Sequence, residues 1–364
     1  MNRRKIIFVT NQFKTGGVES VFMNISDTVS QRIILFPVHN STDPYLINRI
    51  PKNVEIVSNN FKLPRNLFGL AKTIIMAFKY RNIMNTKNAI VINFSDTLTT
   101  LLVSFILNPK NYYSWIHCNP EALLKPKTNF IYWRLLKKCK KIIFISNSQR
   151  NLFFNLDISS NINEKKGIVC TNFLNSTDID SKKKIKVKLN YEYFFTAARL
   201  DLRSKDFFTL IKGYSLLPTK VKDKYKLIIA GNGPDKDRII NFIHNLNENK
   251  NVFLIGNQIN PYKYMKNAKL YIHASISEGF SMAILEALSC GCTVIASDCK
   301  VGPKEILQGE RYGYLFKPQN SLMLKEKILA ALNKGIEPSK AEKRAETICN
   351  IGRKKVKEFL ENGV

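Results

Sequence analysis

The 364-residue chain carries 57 Lys and Arg against 28 Asp and Glu, a formal charge of +29, and 45% of its residues are hydrophobic. That length calls for two domains rather than one, and that apolar fraction excludes a disordered chain. So large a charge calls for an anionic partner, and without a helix-turn-helix, zinc-finger or RNA-recognition signature the expected partner is an anionic membrane surface, not nucleic acid. The excess is uneven: 29 basic against 10 acidic residues through Leu189, and 28 against 18 beyond it.

Lys5–Thr10 reads as a strand, Asn11–Val18 as a turn holding Gly16-Gly17, and a helix begins near Glu19. Nucleotide-binding halves open in this way, but the G-x-G-x-x-G spacing is missing, and the glycine pair equally fits a turn that needs positive φ. Further strands read at Ile33–Val38, Val54–Val57, Ala89–Asn93, Tyr112–Ile116, Lys141–Ile145 and Lys166–Cys170, with helical stretches between several of them. Such alternation predicts a parallel, doubly wound sheet, whose ligands sit at the carboxyl ends of strands. His117, in SWIHCNP, stands at one such end, and the run Ser146-Asn147-Ser148 is placed to cap a helix after another. His39, His244 and His273 lack a comparable context and read as structural.

Two helical stretches in this half, Asn66–Met84 and Asn129–Lys141, mix large apolar residues with Lys and Arg. The mixture suits a helix lying in the interface of an anionic membrane, although a core-facing helix with a basic edge would look the same. The local concentration of charge favours the membrane. The longest apolar run, Leu98–Leu107, is too short to span a bilayer, which takes roughly 20 residues. The basic opening turns polar after Val9, too early for a signal peptide. A cytoplasmic protein, soluble or peripheral on the cytoplasmic membrane face, is therefore expected. Its seven cysteines have neither disulfide nor zinc-site spacing and read as reduced core residues, with no metal site.

Asn175–Asn190, with five lysines, reads as a solvated linker. Beyond it, the strand Tyr193–Ala198 ends in Arg199, and Lys205 precedes a helix from Asp206. Because 57 of the 364 residues are basic, the pair alone is a weak signal. Strands follow at Leu227–Ala230, with the turn Gly231–Pro234, at Val252–Ile255, with the loop Gly256–Gln258, and at Leu270–His273. The segment SISEGFSMAILEALSCGCTVIASD, Ser275–Asp298, then sets Glu278 in a turn and Glu286 about 8 Å along the next helix. The two carboxylates flank a helix terminus at which the amides of Gly279, Phe280, Ser281 and Met282 are open to a phosphate or pyrophosphate. Hydroxyls on either side of a diphosphate have this layout, as in a nucleotide sugar. Two ordinary helix and turn residues would be the plainer interpretation, but an apolar helix buries Glu286, and a buried carboxylate needs a partner, which a lysine could equally supply, or it neutralises.

This segment resembles the E-x7-E region of the retaining GT-B glycosyltransferases, in particular the large family 4 group that includes bacterial lipopolysaccharide, capsule and phosphatidylinositol mannosyltransferases. Scattered short motifs extend the resemblance over most of the chain. It implies an α/β fold of two Rossmann-like doubly wound domains facing a cleft: an acceptor-binding, membrane-facing domain at 1–180, a donor-binding domain at 190–338, and a helix at 339–364 returning toward the first. In that resemblance Glu278 contacts the donor sugar, Glu286 the ribose, and the intervening amides the diphosphate. Arg199 and Lys205, in AARLDLRSKDFF, match an R-x5-K pair that binds the diphosphate. Gly233 lies in a G-x-G-P turn, Asn257 in a base-contacting loop, Gly17 in the first loop near donor phosphates or acceptor, and His117 where a histidine faces the donor sugar. VGPKEI, Val301–Ile306, is similar to a Gly-Pro-x-Glu string of the polysaccharide transferases.

The resemblance implies transfer of a hexose from a nucleotide diphosphate sugar, with UDP the expected nucleotide, to a lipid-linked glycan, lipopolysaccharide or capsule-type polysaccharide acceptor. Configuration is retained, and no cofactor or metal is expected. A nucleotide-sugar epimerase of the same fold, or a non-enzymatic basic protein binding membrane or nucleic acid, are the alternatives. A dinucleotide oxidoreductase is disfavoured by the missing fingerprint.

Overall fold

The computed structural model describes residues 5–14, 16–39, 42–57, 67–124 and 129–362. The basic opening at residues 1–4 and the beginning of the basic stretch at Asn66 lie outside them. The chain divides into two compact units, Met1–Phe173 with Ile351–Val364, and Leu174–Asn350.

In the first unit seven strands, β1 (Ile6–Thr10), β2 (Ile33–Pro37), β3 (Val54–Ile56), β4 (Ile90–Asn93), β5 (Tyr112–Ile116), β6 (Ile142–Phe144) and β7 (Gly167–Val169), form one sheet in the order β3-β2-β1-β4-β5-β6-β7. Every pairing is parallel. Because such a sheet is covered on both faces, its central strands are continuous apolar runs rather than alternating ones; IIFVT of β1 and YYSWI of β5 are buried at every position. The helices Leu67–Ile83 and Asn129–Lys138 both pack on the apolar helix Leu98–Leu107. On β5, Tyr113 and Trp115 meet Phe359 edge-on at 5.2 and 6.3 Å. Gly352 lies so close to the Thr171 carbonyl that a Cβ would come within 2.3 Å of it.

The second unit has six parallel strands, β8 (Glu192–Ala197), β9 (Tyr225–Ala230), β10 (Val252–Leu254), β11 (Leu270–His273), β12 (Val294–Ser297) and β13 (Tyr314–Phe316), in the order β10-β9-β8-β11-β12-β13. The last strand, three residues long, is not among those expected from sequence. Both sheets are doubly wound, with switch points between β1 and β4 and between β8 and β11.

The polar run expected to be a solvated linker folds instead. Ser176–Lys182 is a helix, and Lys183 is largely buried, pairing with Asp180 at 2.9 Å and Glu342 at 3.1 Å and donating to the Ser289 carbonyl at 3.0 Å. Carboxylates and a carbonyl supplied by three separate elements neutralise a lysine that sequence alone assigns to water. The final helix, Pro338–Asn362, contributes residues to both units. No helix among the described residues is long and apolar enough to cross a membrane.

Candidate active site

Strands β8 and β11 are neighbours in the sheet but far apart in sequence, and the crevice outside their carboxyl ends is where an open α/β sheet holds ligands. The loop leaving β8 is joined to the loop leaving β11 by an antiparallel bridge between Lys205 and Ser275. The amide of Asp206 donates to the Ala274 carbonyl at 3.1 Å and that of Ile276 to the Ser204 carbonyl at 2.8 Å. Asp206 caps the helix Phe207–Ser215. This bridging fixes Lys205 against the turn that carries Glu278, while Arg199 projects exposed from the end of β8.

Three donors converge on one oxygen of Glu278. Lys205 Nζ pairs with Oε1, Ser275 Oγ donates to it at 2.6 Å, and His273 Nε2 lies 2.9 Å from it. No described hydrogen bond reaches Oε2, so the carboxylate is anchored by one oxygen and offers the other. Burial alone would push this carboxyl up; Lys205 and His273 outweigh burial and hold it well below the usual range, fully ionised. His273 is itself only 2% exposed, and burial lowers its proton affinity against the pull of Glu278. The structure thus puts Lys205 and Glu278, expected on the diphosphate and the sugar, in direct contact. It also brings in His273, whose sequence context marks it only as structural.

The helix after Glu278 is Met282–Ser289, and its N-cap, Ser281, has φ 76°, a left-handed conformation unusual for a residue with a side chain. Ser281 Oγ is buried with no partner. None of the amides of Gly279, Phe280, Ser281 and Met282 makes a described hydrogen bond, so an unpartnered buried hydroxyl joins four open N–H groups at a positive helix end. Gly302, at φ 99°, supports this turn: its Cα lies where any Cβ would come within 2.4 Å of the Phe280 carbonyl. One turn on, Glu286 is half-buried beside Tyr262, and loss of solvent around its carboxyl pushes it up to about 7 against the hydrogen bond from Tyr262.

In the turn after β9, Gly231 and Gly233 admit the backbone of Ala198 and Leu200, with virtual Cβ distances of 1.9 and 2.3 Å to their carbonyls. These glycines hold the loop of Arg199 by close backbone approach. Asn257 lies exposed beyond β10.

In the first unit, His117 follows β5 and packs edge-on to Phe94, with ring centroids 4.3 Å apart. Its backbone is gripped from two sides. Asp96 Oδ2 accepts the amides of His117 at 3.0 Å and Cys118 at 2.8 Å, and Gln149 Nε2 donates to the carbonyls of Ile116 at 3.1 Å and Cys118 at 2.7 Å. Ser146 caps the helix that carries Gln149. Burial pushes the His117 imidazole down to about 3 and the Asp96 carboxyl up to about 6, and His117 Nε2 and Asp96 Oδ1 are buried without partners. Gly17 opens the helix Gly17–Thr28 with open space where a side chain would stand. Asp96 and Gln149 are beyond sequence reasoning, because their grip depends on how β4, β5 and the following helix are juxtaposed.

Against known proteins, residues 178–348 match the family described as "Glycosyl transferases group 1". The chain is 31% identical over 234 residues to N-acetylgalactosamine-N,N'-diacetylbacillosaminyl-diphospho-undecaprenol 4-alpha-N-acetylgalactosaminyltransferase of Campylobacter jejuni, covering 64% of this chain and 58% of that one. It is 27% identical to the uncharacterized glycosyltransferase MJ1059 of Methanocaldococcus jannaschii, over 83% of this chain and 84% of that protein. In fold it matches Anabaena Alr3699/HepE in complex with UDP-glucose, with a TM-score of 0.76 at 18% identity over 98% of both chains. The fold is thus that of the GT-B glycosyltransferases, and residues 178–348, nearly the whole of the second unit, are similar to the glycosyl transferases group 1 family.

Proposed function

We propose that this protein is a retaining glycosyltransferase that moves a hexose from a UDP-sugar to a hydroxyl of a lipid-linked or polymeric glycan. The observation that carries this reading is the helix terminus at Met282, where four undonated amides and the orphaned Ser281 hydroxyl lie between ionised Glu278 and half-buried Glu286. The diphosphate would take the amides, with Lys205 and Arg199 as cations; the sugar hydroxyls would take Glu278 Oε2, and the ribose Glu286. Gly233 and Asn257 would border the nucleotide, Gly17 the phosphates or acceptor, and His117 would face the sugar. The acceptor oxygen would bond to the anomeric carbon as the bond to the diphosphate breaks, on one face of the ring, with the acceptor's proton passing to a diphosphate oxygen. Positive charge from Lys205, Arg199 and the helix terminus would stabilise the leaving nucleotide without a metal ion. The Campylobacter relative, named for alpha transfer to a diphospho-undecaprenol glycan, supports the acceptor class, and the Anabaena complex with UDP-glucose supports the donor.

A peripheral position on an anionic, cytoplasmic membrane face belongs to the same proposal. Ile75, Phe78 and Ile83 of one helix and Phe130 and Ile131 of another are exposed, from 50 to 74%, beside Lys72, Lys79, Arg134 and Lys137. Exposed apolar side chains on helices that also carry Lys and Arg suit a headgroup region at about 1 kcal/mol per basic residue.

Thermal-shift measurements with UDP, GDP, ADP and NAD on wild type and Glu286→Gln test the donor site, because a ligand of the native state raises its melting temperature. One nucleoside diphosphate should stabilise wild type and not the variant. No shift with any diphosphate, in folded protein, would overturn the reading.

A further inference from the structure

We propose that His273 is a positioning residue for Glu278, holding Oε1 through its Nε2–H and taking up a proton when a donor diphosphate draws Lys205 away from the carboxylate. The inference rests on the donor site proposed above. In the present arrangement Lys205 supplies the one full positive charge that meets Glu278 among the described residues, and His273 and Ser275 supply neutral donors at 2.9 and 2.6 Å. Lys205 cannot neutralise a diphosphate and Glu278 fully at once. Weakening its hold leaves a buried carboxylate uncompensated, a situation that proteins avoid by importing a proton or a cation.

Besides the carboxylate itself, the imidazole at 2.9 Å is the nearest described group able to accept that proton, and its ring is already in place. Its location is fixed by the end of β11 and by Tyr271, stacked at 6.4 Å, whose hydroxyl donates to the Ala197 carbonyl of β8. From β12, Ser297 Oγ donates to the His273 carbonyl, and the Cys299 thiol, held to the Ser275 carbonyl at 3.2 Å, stands behind Ser275. Glu278 and Lys205 are the charged groups acting on the ring among the described residues. Glu278 raises its proton affinity, whereas burial and Lys205 lower it, so displacing Lys205 favours the imidazolium. Donor binding and proton uptake are then linked at one residue, and the Oε2 face of Glu278 keeps its orientation throughout.

The chain has four histidines, so selective labelling at the ring Cε1 gives four NMR signals, and His273→Asn identifies the relevant one. In wild type the His273 signal should remain that of a neutral, Nε2-protonated ring from pH 6.5 to 8. In Lys205→Met its titration midpoint should rise by at least one pH unit, with Lys205→Gln as the second variant if the first does not fold. Saturating UDP-glucose should move the wild-type midpoint in the same direction. A midpoint unchanged in both lysine variants would overturn the proton role, including the case in which Glu278 itself takes the proton. An unchanged tautomer in Glu278→Gln would overturn the positioning role. UDP-glucose that raises neither the midpoint nor the melting temperature would sink the donor-site reading on which the linkage depends, whereas the lysine variants test His273 without any ligand.

Discussion

Each unit buries a carboxylate beside a histidine, but the two do so by opposite means. In the second, Glu278 stays ionised because Lys205, Ser275 and His273 converge on one of its oxygens. In the first, Asp96 and His117 meet no opposite charge among the described residues: Asp96 spends one oxygen on backbone amides, and burial drives both groups toward neutrality. A compensated charge tolerates ordinary changes of pH but depends on its partner. An uncompensated group is indifferent to partner loss and sensitive to pH instead.

The largest expected effect follows from breaking compensation. Lys205→Met should destabilise the protein by about 3–5 kcal/mol in urea denaturation, since removing one partner of a buried pair strands the other. The double variant with Glu278→Gln should recover part of that loss; simple additivity of the two would show that the pair is not coupled. Next comes His117, whose folded proton affinity lies far below its unfolded value of about 6.5. Its stabilising contribution is complete above that pH and is lost as pH falls toward 3, by on the order of 3 kcal/mol at pH 4. His117→Gln should flatten this acid arm, and a wild-type arm that persists unchanged would assign it to other groups.

Glu286 has the reverse sign. Raised from about 4.5 to about 7, it stabilises fully below pH 4.5 and progressively less as pH rises through 7. Glu286→Gln should therefore be more stable than wild type at pH 8, by on the order of 3 kcal/mol, with the difference closing near pH 4.5, even as it loses the nucleotide-induced shift. Equal stabilities at pH 8 would mean that the carboxylate is compensated after all. The smallest effect on stability belongs to the exposed face of the first unit. Phe130→Ser with Ile131→Ser should alter stability by no more than about 0.5 kcal/mol, while reducing flotation with vesicles that contain anionic lipid; undiminished flotation would remove this helix from the membrane contact.

Much of this arrangement is written in local sequence. Tyr112–Ile116 and Leu270–His273 are strands over their expected spans, because short apolar runs bounded by polar residues leave little choice. Ser146 caps its helix because a serine before a helical stretch can satisfy an open amide. What remained illegible is pairing across the chain. Lys183 is one of five lysines in a polar run, and nothing local distinguishes the one that reaches Glu342. Tyr262 meets Glu286 from a different helix. His273 had a usable signal, a polar residue closing an apolar strand five positions before a turn carboxylate, but without the bridge between Lys205 and Ser275 the fold-back onto Glu278 is not implied by spacing.

The final helix has a consequence for biosynthesis. Val356, Phe359 and Leu360 are buried in the first unit, where Phe359 packs on Tyr113 and Trp115 of its sheet. A ribosome working from the amino end completes residues 1–173 long before it makes these side chains, and must produce the whole second unit in between. The nascent first unit therefore waits with part of its sheet uncovered, exposed to chaperones and proteases, until the chain's far end emerges.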